Sequence, residues 1–193
     1  MTGYLTQRGE ADGLRLHLAI PNLEVRDVFA RQIMECFTEA VRKDGDTLGC
    51  FCDALRDGDA DTVEQLFTQY LRKTASIRDT GAREDQKKSF YHGILLGILG
   101  IKESWTILSN REAGEGYADI LVMPEVEPGG EAIGIIIEVK YAHDGNLERS
   151  AETALRQIEE RHYTDTLYED GADRILKYGI GCYKKRCRVL MGV

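Results

Sequence analysis

Two segments of this chain read as buried strands and yet carry charge: Gly116-Tyr117-Ala118-Asp119-Ile120-Leu121-Val122 and Ile135-Ile136-Ile137-Glu138-Val139-Lys140. From Ile133 to Lys140 both alternating faces are apolar, the pattern of a central strand covered on each side. Glu138 and Lys140 stand at its end, at i and i+2, so they point to one face. The segment between the strands, Pro124-Glu125-Val126-Glu127-Pro128-Gly129-Gly130, is a turn by composition. A hairpin centred on Pro128-Gly129 sets Asp119 level with Glu138. Two carboxylates and an ammonium then share one patch.

Two carboxylates that close raise each other's pKa unless a cation lies between them. Their oxygens suit a hard ion such as Mg²⁺ or Mn²⁺, which keeps several waters and takes further ligands from a substrate phosphate. Lys140 is then placed to orient an attacking water and help deprotonate it, while the ion stabilises charge on a phosphorane-like transition state. The chemistry this predicts is phosphodiester hydrolysis. The plainer alternative is an ion pair capping a sheet edge, with Lys140 neutralising Glu138 or Asp119.

The pattern resembles the PD-(D/E)xK nuclease superfamily, whose core runs helix, three antiparallel strands, helix, strand, with Asp on the second strand and Glu-x-Lys on the third. Asp119, Glu138 and Lys140 match it residue by residue. Ser89-Phe90-Tyr91-His92-Gly93-Ile94-Leu95-Leu96-Gly97, Ser109-Asn110-Arg111-Glu112-Ala113-Gly114-Glu115-Gly116, and Tyr178-Gly179-Ile180 look like the nuclease-like domain that follows an ATPase-like domain in many bacterial proteins. Thr2-Gly3-Tyr4-Leu5-Thr6 and Leu18-Ala19-Ile20-Pro21-Asn22-Leu23-Glu24-Val25 are similar to the closing segment of that ATPase-like domain.

The resemblance implies an α/β (α+β) fold: a restriction-endonuclease-like core with a mixed sheet flanked by helices, over residues 81–193. Residues 1–80 form a hairpin and helical region ahead of it. It implies a Mg²⁺- or Mn²⁺-dependent deoxyribonuclease, with Asp119 and Glu138 holding the metal, Lys140 positioning water, and DNA as partner. A homodimer and an ATPase-like domain or subunit upstream are further expectations. The competing reading is a catalytically degenerate nuclease-fold module that binds nucleic acid or protein.

Members usually carry an acidic residue on the first core helix, just before the Phe-Tyr-His of this branch; here those positions are Lys88 and Ser89. Glu84, one helical turn upstream, is the candidate substitute in the metal set, and equally suits a solvated helix start. Tyr117 stands where relatives often show Arg. A polar residue on the later core helix, often Gln, reaches toward the Glu-x-Lys strand in the superfamily, and Ala154-Leu155-Arg156-Gln157-Ile158 matches that form; a surface Gln157 is the alternative. Tyr163 matches as packing. His92 is read either as a contact to a catalytic carboxylate or phosphate, or as a satisfied core residue.

The chain has 193 residues and 42% hydrophobic side chains, enough for one domain with a real core and a small appendage. A formal net charge of −8 is no general nucleic-acid footprint. Arg174, Lys177, Lys184, Lys185, Arg186 and Arg188 form one basic strip, more simply read as solvated edge strands discouraging sheet pairing. Five cysteines, an odd count without a secretory leader, predict a reducing cytoplasm. The spacings of Cys50, Cys52, Cys182 and Cys187 suit zinc poorly and small buried hydrophobes well. No apolar run reaches the roughly 18 residues of a membrane span, and no Gly-x4-Gly-Lys-Ser/Thr encodes a P-loop.

Along the chain, Tyr4–Gln7 and Leu14–Ala19 alternate as a hairpin across Gly9–Gly13. Val25, Val28, Phe29, Ile33, Phe37 and Val41 recur at helical spacing over 23–42 and predict an apolar stripe that packs on the core or on a second copy. Helices follow over 48–55 and 61–72, with Asp59 or Asp61 as N-cap of the second. A domain boundary is expected over 76–84, then a helix over 85–99, a strand over 104–110 with Trp105 in the core, the two charged strands, a helix over 147–163, and strands over 175–182 and 185–190.

Overall fold

The apolar run Ile133–Val139 becomes the middle of a five-stranded mixed sheet. The computed structural model describes residues 6–7, 18–19, 45–74, 84–126 and 128–192. Two units divide the chain, Met1–Lys43 and Asp44–Val193. In the first, β1 (Thr6–Gln7) and β2 (Leu18–Ala19) pair antiparallel, Thr6 opposite Ala19, as the alternation around the glycines predicts. The helix expected over 23–42, with Val25, Phe29, Ile33 and Phe37, lies outside the described residues.

The second unit begins with α1 (Gly45–Asp57) and α2 (Ala60–Thr74), split at Gly58 and Asp59. Asp59 caps α2, accepting from the Thr62 backbone N–H at 3.0 Å and from its hydroxyl at 2.6 Å. These helices belong with the sheet: this unit starts at Asp44, whereas the sequence reading put the boundary near residue 80. The reason is packing that a polar stretch in the sequence does not reveal. The Tyr178 hydroxyl donates to Leu55 O at 2.7 Å, and Glu64 accepts from both Arg188 (3.1 Å) and the Val189 N–H (2.9 Å).

Next come α3 (Glu84–Leu99), β3 (Thr106–Ala113), β4 (Gly116–Met123), β5 (Ile133–Tyr141), α4 (Leu147–Glu160), α5 (Tyr163–Glu169), β6 (Arg174–Tyr183) and β7 (Arg186–Gly192). The sheet order is β3-β4-β5-β6-β7, antiparallel throughout except for the parallel β5–β6 pair. This is the α+β, restriction-endonuclease-like arrangement. Ile120 pairs with Ile137 and Val122 with Ile135, the register that a turn centred on Pro128-Gly129 implies. None of the described helices is long and apolar enough to cross a membrane.

Three local expectations are corrected. Trp105 precedes β3 and is only half-buried, its ring 6.0 Å from the Lys102 ammonium. The helix predicted over 147–163 breaks at His162, which takes a left-handed φ of 52°, and restarts as α5. Of the two strands that carry the basic strip, β6 is internal and buried and β7 lies at a sheet edge. Two members of the strip are held by acids, Lys177 of β6 by Glu159 at 2.6 Å and Arg188 of β7 by Glu148 at 2.6 Å and Glu64 at 3.1 Å.

Successive residues of β6 point to opposite faces. Tyr178 meets α1, whereas Gly179 and Gly181 lie under α4. A Cβ on Gly179 would stand 2.3 Å from Ala151 O, and one on Gly181 2.2 Å from Leu147 O, so α4 rests directly on the strand backbone. Ala151, Ala154 and Ile158 fill its inner side.

Gly179→Ala is therefore expected to destabilise the fold by about 1–3 kcal/mol, read as a lowered urea midpoint. Thiol reactivity is a second check. Burial pushes the Cys52 and Cys187 thiols up to about 12 and Cys182 well above the usual range, while Cys50 is exposed. Alkylation of native protein, mapped by mass spectrometry, should mark Cys50 and spare Cys52, Cys182 and Cys187 until denaturant is added.

Candidate active site

Hydrogen bonding around Asp119 departs from the regular ladder on both sides. On the β3 side, Arg111 pairs with Ala118 and Ser109 with Ile120, but Asn110, opposite Asp119, is skipped and takes a left-handed φ of 49°. On the β5 side the paired residues stop at Ile120 and Ile137. The freed groups find other partners, as buried backbone must. His92 Nε2 contacts the Asp119 carbonyl at 3.0 Å, and since a carbonyl only accepts, that nitrogen bears the proton. The Val139 N–H donates to Asp119 Oδ2 at 2.8 Å. Asp119 is thus held from β3's neighbour helix and from β5, with its second oxygen, Oδ1, turned to the cluster.

Glu138 follows on β5 with no solvent exposure, and Asp119 retains 6%. Burial first, then the Asp119 charge, raises the Glu138 pKa above the ordinary carboxylate value, against the pull of Lys88 and Lys140. Its Oε1 accepts from Lys140 at 3.1 Å and from Lys88 at 3.2 Å, whereas Oε2 is buried with no hydrogen-bond partner among the described residues. Lys88, one turn into α3, also lies 2.8 Å from Asp119 Oδ1. Burial works against its ammonium, but Glu138 and Asp119 outweigh that and hold its pKa above the usual lysine value.

Lys140 Nζ donates also to Gln157 Oε1, the Gln157 amide donates to the Tyr163 hydroxyl at 3.1 Å, and that hydroxyl donates to Tyr117 O at 2.9 Å. This chain ties β5, α4, α5 and β4 together. The break at His162 makes it possible by turning Tyr163 inward, where it is 1% exposed. Tyr163 is therefore more than the packing residue expected of it.

The structure brings Asp119, Glu138, Lys140 and Gln157 together. Glu84 begins α3, but its side chain lies outside the described residues. Lys88 is the participant that sequence reasoning registered only as a missing acid. His143 and Asp144 sit in the exposed loop after β5, with Asp144 accepting from the Asn146 N–H at 2.9 Å.

Among the described residues no three His, Cys, Asp or Glu side chains gather as a metal cage. Two carboxylates still fit a small oxygen-loving ion that retains waters. Among the described residues Glu138 Oε2 faces no donor, which leaves it as an acceptor that such an ion could take. Lys88 stands on the neighbouring oxygens, so the fit requires that side chain to move.

Grooves open on both sides of Lys140. One, of about 570 Å³, is lined by Tyr117, Arg156, Gln157, Arg161 and Tyr163; the other, of about 330 Å³, by Tyr141, His143, Arg149 and Thr153. Arg149, Thr153 and Arg156 recur at i, i+4 and i+7, one stripe of α4. Tyr117 is 65% exposed at the far end.

A mixed sheet with an aspartate on its second strand and Glu-x-Lys on its third, beside a helix, defines a restriction-endonuclease-like fold. Residues 86–191 match the model of the PD-(D/E)XK nuclease superfamily, and the chain belongs to that superfamily. No curated protein matches it.

Removing the Tyr163 hydroxyl tests the linking chain. Tyr163→Phe leaves Tyr117 O and the Gln157 amide without a buried partner and is expected to cost about 1–3 kcal/mol in chemical denaturation.

Proposed function

We propose that this chain hydrolyses phosphodiester bonds in DNA with Mg²⁺ or Mn²⁺ held by Asp119 and Glu138. The observation that carries the reading is the buried Glu138 carboxylate, with one oxygen unpartnered, beside Asp119 and on the same side of the sheet as Lys140. When bound, the ion supplies Lewis-acid stabilisation of the charge that builds on the scissile phosphate. Asp119 keeps Oδ2 on the Val139 N–H and offers Oδ1, so the backbone that carries Glu138 also aims the second carboxylate. Lys140 has three N–H donors, of which Glu138 and Gln157 take two. The third is available to a water or a phosphate oxygen. There Lys140 orients the attacking water and favours the hydroxide electrostatically, while Gln157 restrains Lys140 and Tyr163 restrains Gln157. The Arg149, Thr153 and Arg156 stripe supports a nucleic-acid strand passing over Lys140, since guanidinium groups pair with phosphates whatever the base.

Lys88 favours a second reading, a nuclease fold that binds nucleic acid or protein without cutting. An ammonium in place of the first-helix acid removes one ligand and, together with Lys140, neutralises the remaining two.

Activity assays separate the two. Purified protein is expected to nick or degrade DNA with Mn²⁺ or Mg²⁺ and to stop with chelator. Lys140→Ala and Asp119→Asn are each expected to lose about 10²–10³-fold in turnover, as when one transition-state contact is removed, with the fold intact by circular dichroism. Cleavage unchanged in both variants would identify a contaminant. Inactivity with either metal on every DNA form would favour the binding module.

A further inference from the structure

The superfamily resemblance leads to an acid at the position of Lys88, and here an ammonium spans the two carboxylates instead, 2.8 Å from Asp119 and 3.2 Å from Glu138. Lys140 touches the same Glu138 oxygen at 3.1 Å. Among the described residues the cluster thus holds two carboxylates and two ammonium groups, and its formal charge is zero. A dication added to it would share oxygens with an ammonium already in contact, and cations only a few ångströms apart repel strongly in a buried site.

We propose that Lys88 is the resident counter-ion of the Asp119–Glu138 pair, and that a divalent metal enters only by displacing it. This rests on the reading of the pair as a metal site. Lys88 is able to leave: its side chain is 37% exposed and its four-carbon stem is flexible. With Lys88 in solvent and a dication in place, two carboxylates and Lys140 leave the cluster at +1, which a single phosphodiester neutralises. The ion and the substrate phosphate therefore load together, and metal without nucleic acid binds weakly. Lys88 is a positioning residue in this scheme, setting which cation the carboxylates hold and when.

Calorimetric titration of the full chain with MnCl₂, without DNA, tests it. Lys88→Ala and Lys88→Gln are expected to bind Mn²⁺ about tenfold more tightly than wild type, within the roughly 5–150-fold coupling typical of linked binding events. Lys88→Arg keeps the cation and should stay as weak as wild type. Adding Asp119→Asn to Lys88→Gln should abolish the gain, which a merely structural role for Lys88 would not produce. Equal or weaker binding in the neutral variants overturns the proposal. So does low-micromolar Mn²⁺ affinity of the wild type alone, a result that needs no variant to fold. The two readings fail separately. Tight Mn²⁺ binding by Lys88→Gln with no DNA cleavage leaves the counter-ion assignment standing and removes the nuclease. Metal-dependent cleavage by a wild type that binds Mn²⁺ as tightly as the variants does the reverse.

Discussion

A carboxylate without solvent exposure, at the end of the central strand, is the constraint around which this protein is arranged. An isolated buried charge is untenable, and Glu138 is tolerated because ammonium groups reach it from two directions. Lys140 comes from its own strand and Lys88 from a helix fifty residues earlier. Each cation is placed by something else: Lys140 by Gln157, and Lys88 by the course of α3, which the Tyr91 hydroxyl ties to Lys184 O at 2.8 Å. Stability and chemistry therefore draw on the same contacts. Two cations beside two carboxylates leave the cluster without net charge, which is what makes its burial tolerable.

Asp119 shows how the sheet accommodates the second carboxylate. A strand residue in a regular ladder has its backbone groups paired and its side chain perpendicular to the sheet. Here the skipped Asn110 and the early end of the β4–β5 pairing free a carbonyl and an N–H. His92 takes the first and the carboxylate itself takes the second. The irregularity is what turns a strand aspartate into a group fixed at both backbone and side chain. His92 thus acts on the backbone carbonyl of the residue whose carboxylate it was a candidate to touch.

Much of this was legible in the chain itself. Period-two parity placed Glu138 and Lys140 together, and the Pro128-Gly129 turn carried the register. Both follow from local geometry that repeats every residue. The reach of Lys88 was not legible, because a long side chain on one helix can point many ways and its target lies far along the chain. Nor was the Tyr163 hydroxyl, whose direction depends on a single left-handed residue, His162, in a conformation that remains uncommon even for the residue types enriched there. The grouping of α1 and α2 with the sheet was missed for a related reason. Polar composition over 76–84 predicts a boundary, but segments on either side of it are separate domains only if few contacts join them, and Tyr178 and Arg188 carry such contacts.

The two glycines beneath α4 have a consequence for how such a protein varies over generations. That helix carries Gln157 on one flank and the Arg149–Arg156 stripe on another, and its height above β6 is set by the absence of side chains at Gly179 and Gly181. Anything that lifts the helix displaces the restraint on Lys140 and the basic stripe by the same amount. If the chain cuts DNA as proposed, drift at these positions would present in a genetic screen as loss of cleavage with Asp119, Glu138 and Lys140 all intact. Because the nearest atoms are the backbone carbonyl oxygens of Ala151 and Leu147, no change of side chain at those two residues relieves the crowding, and the two glycines are expected to be retained together.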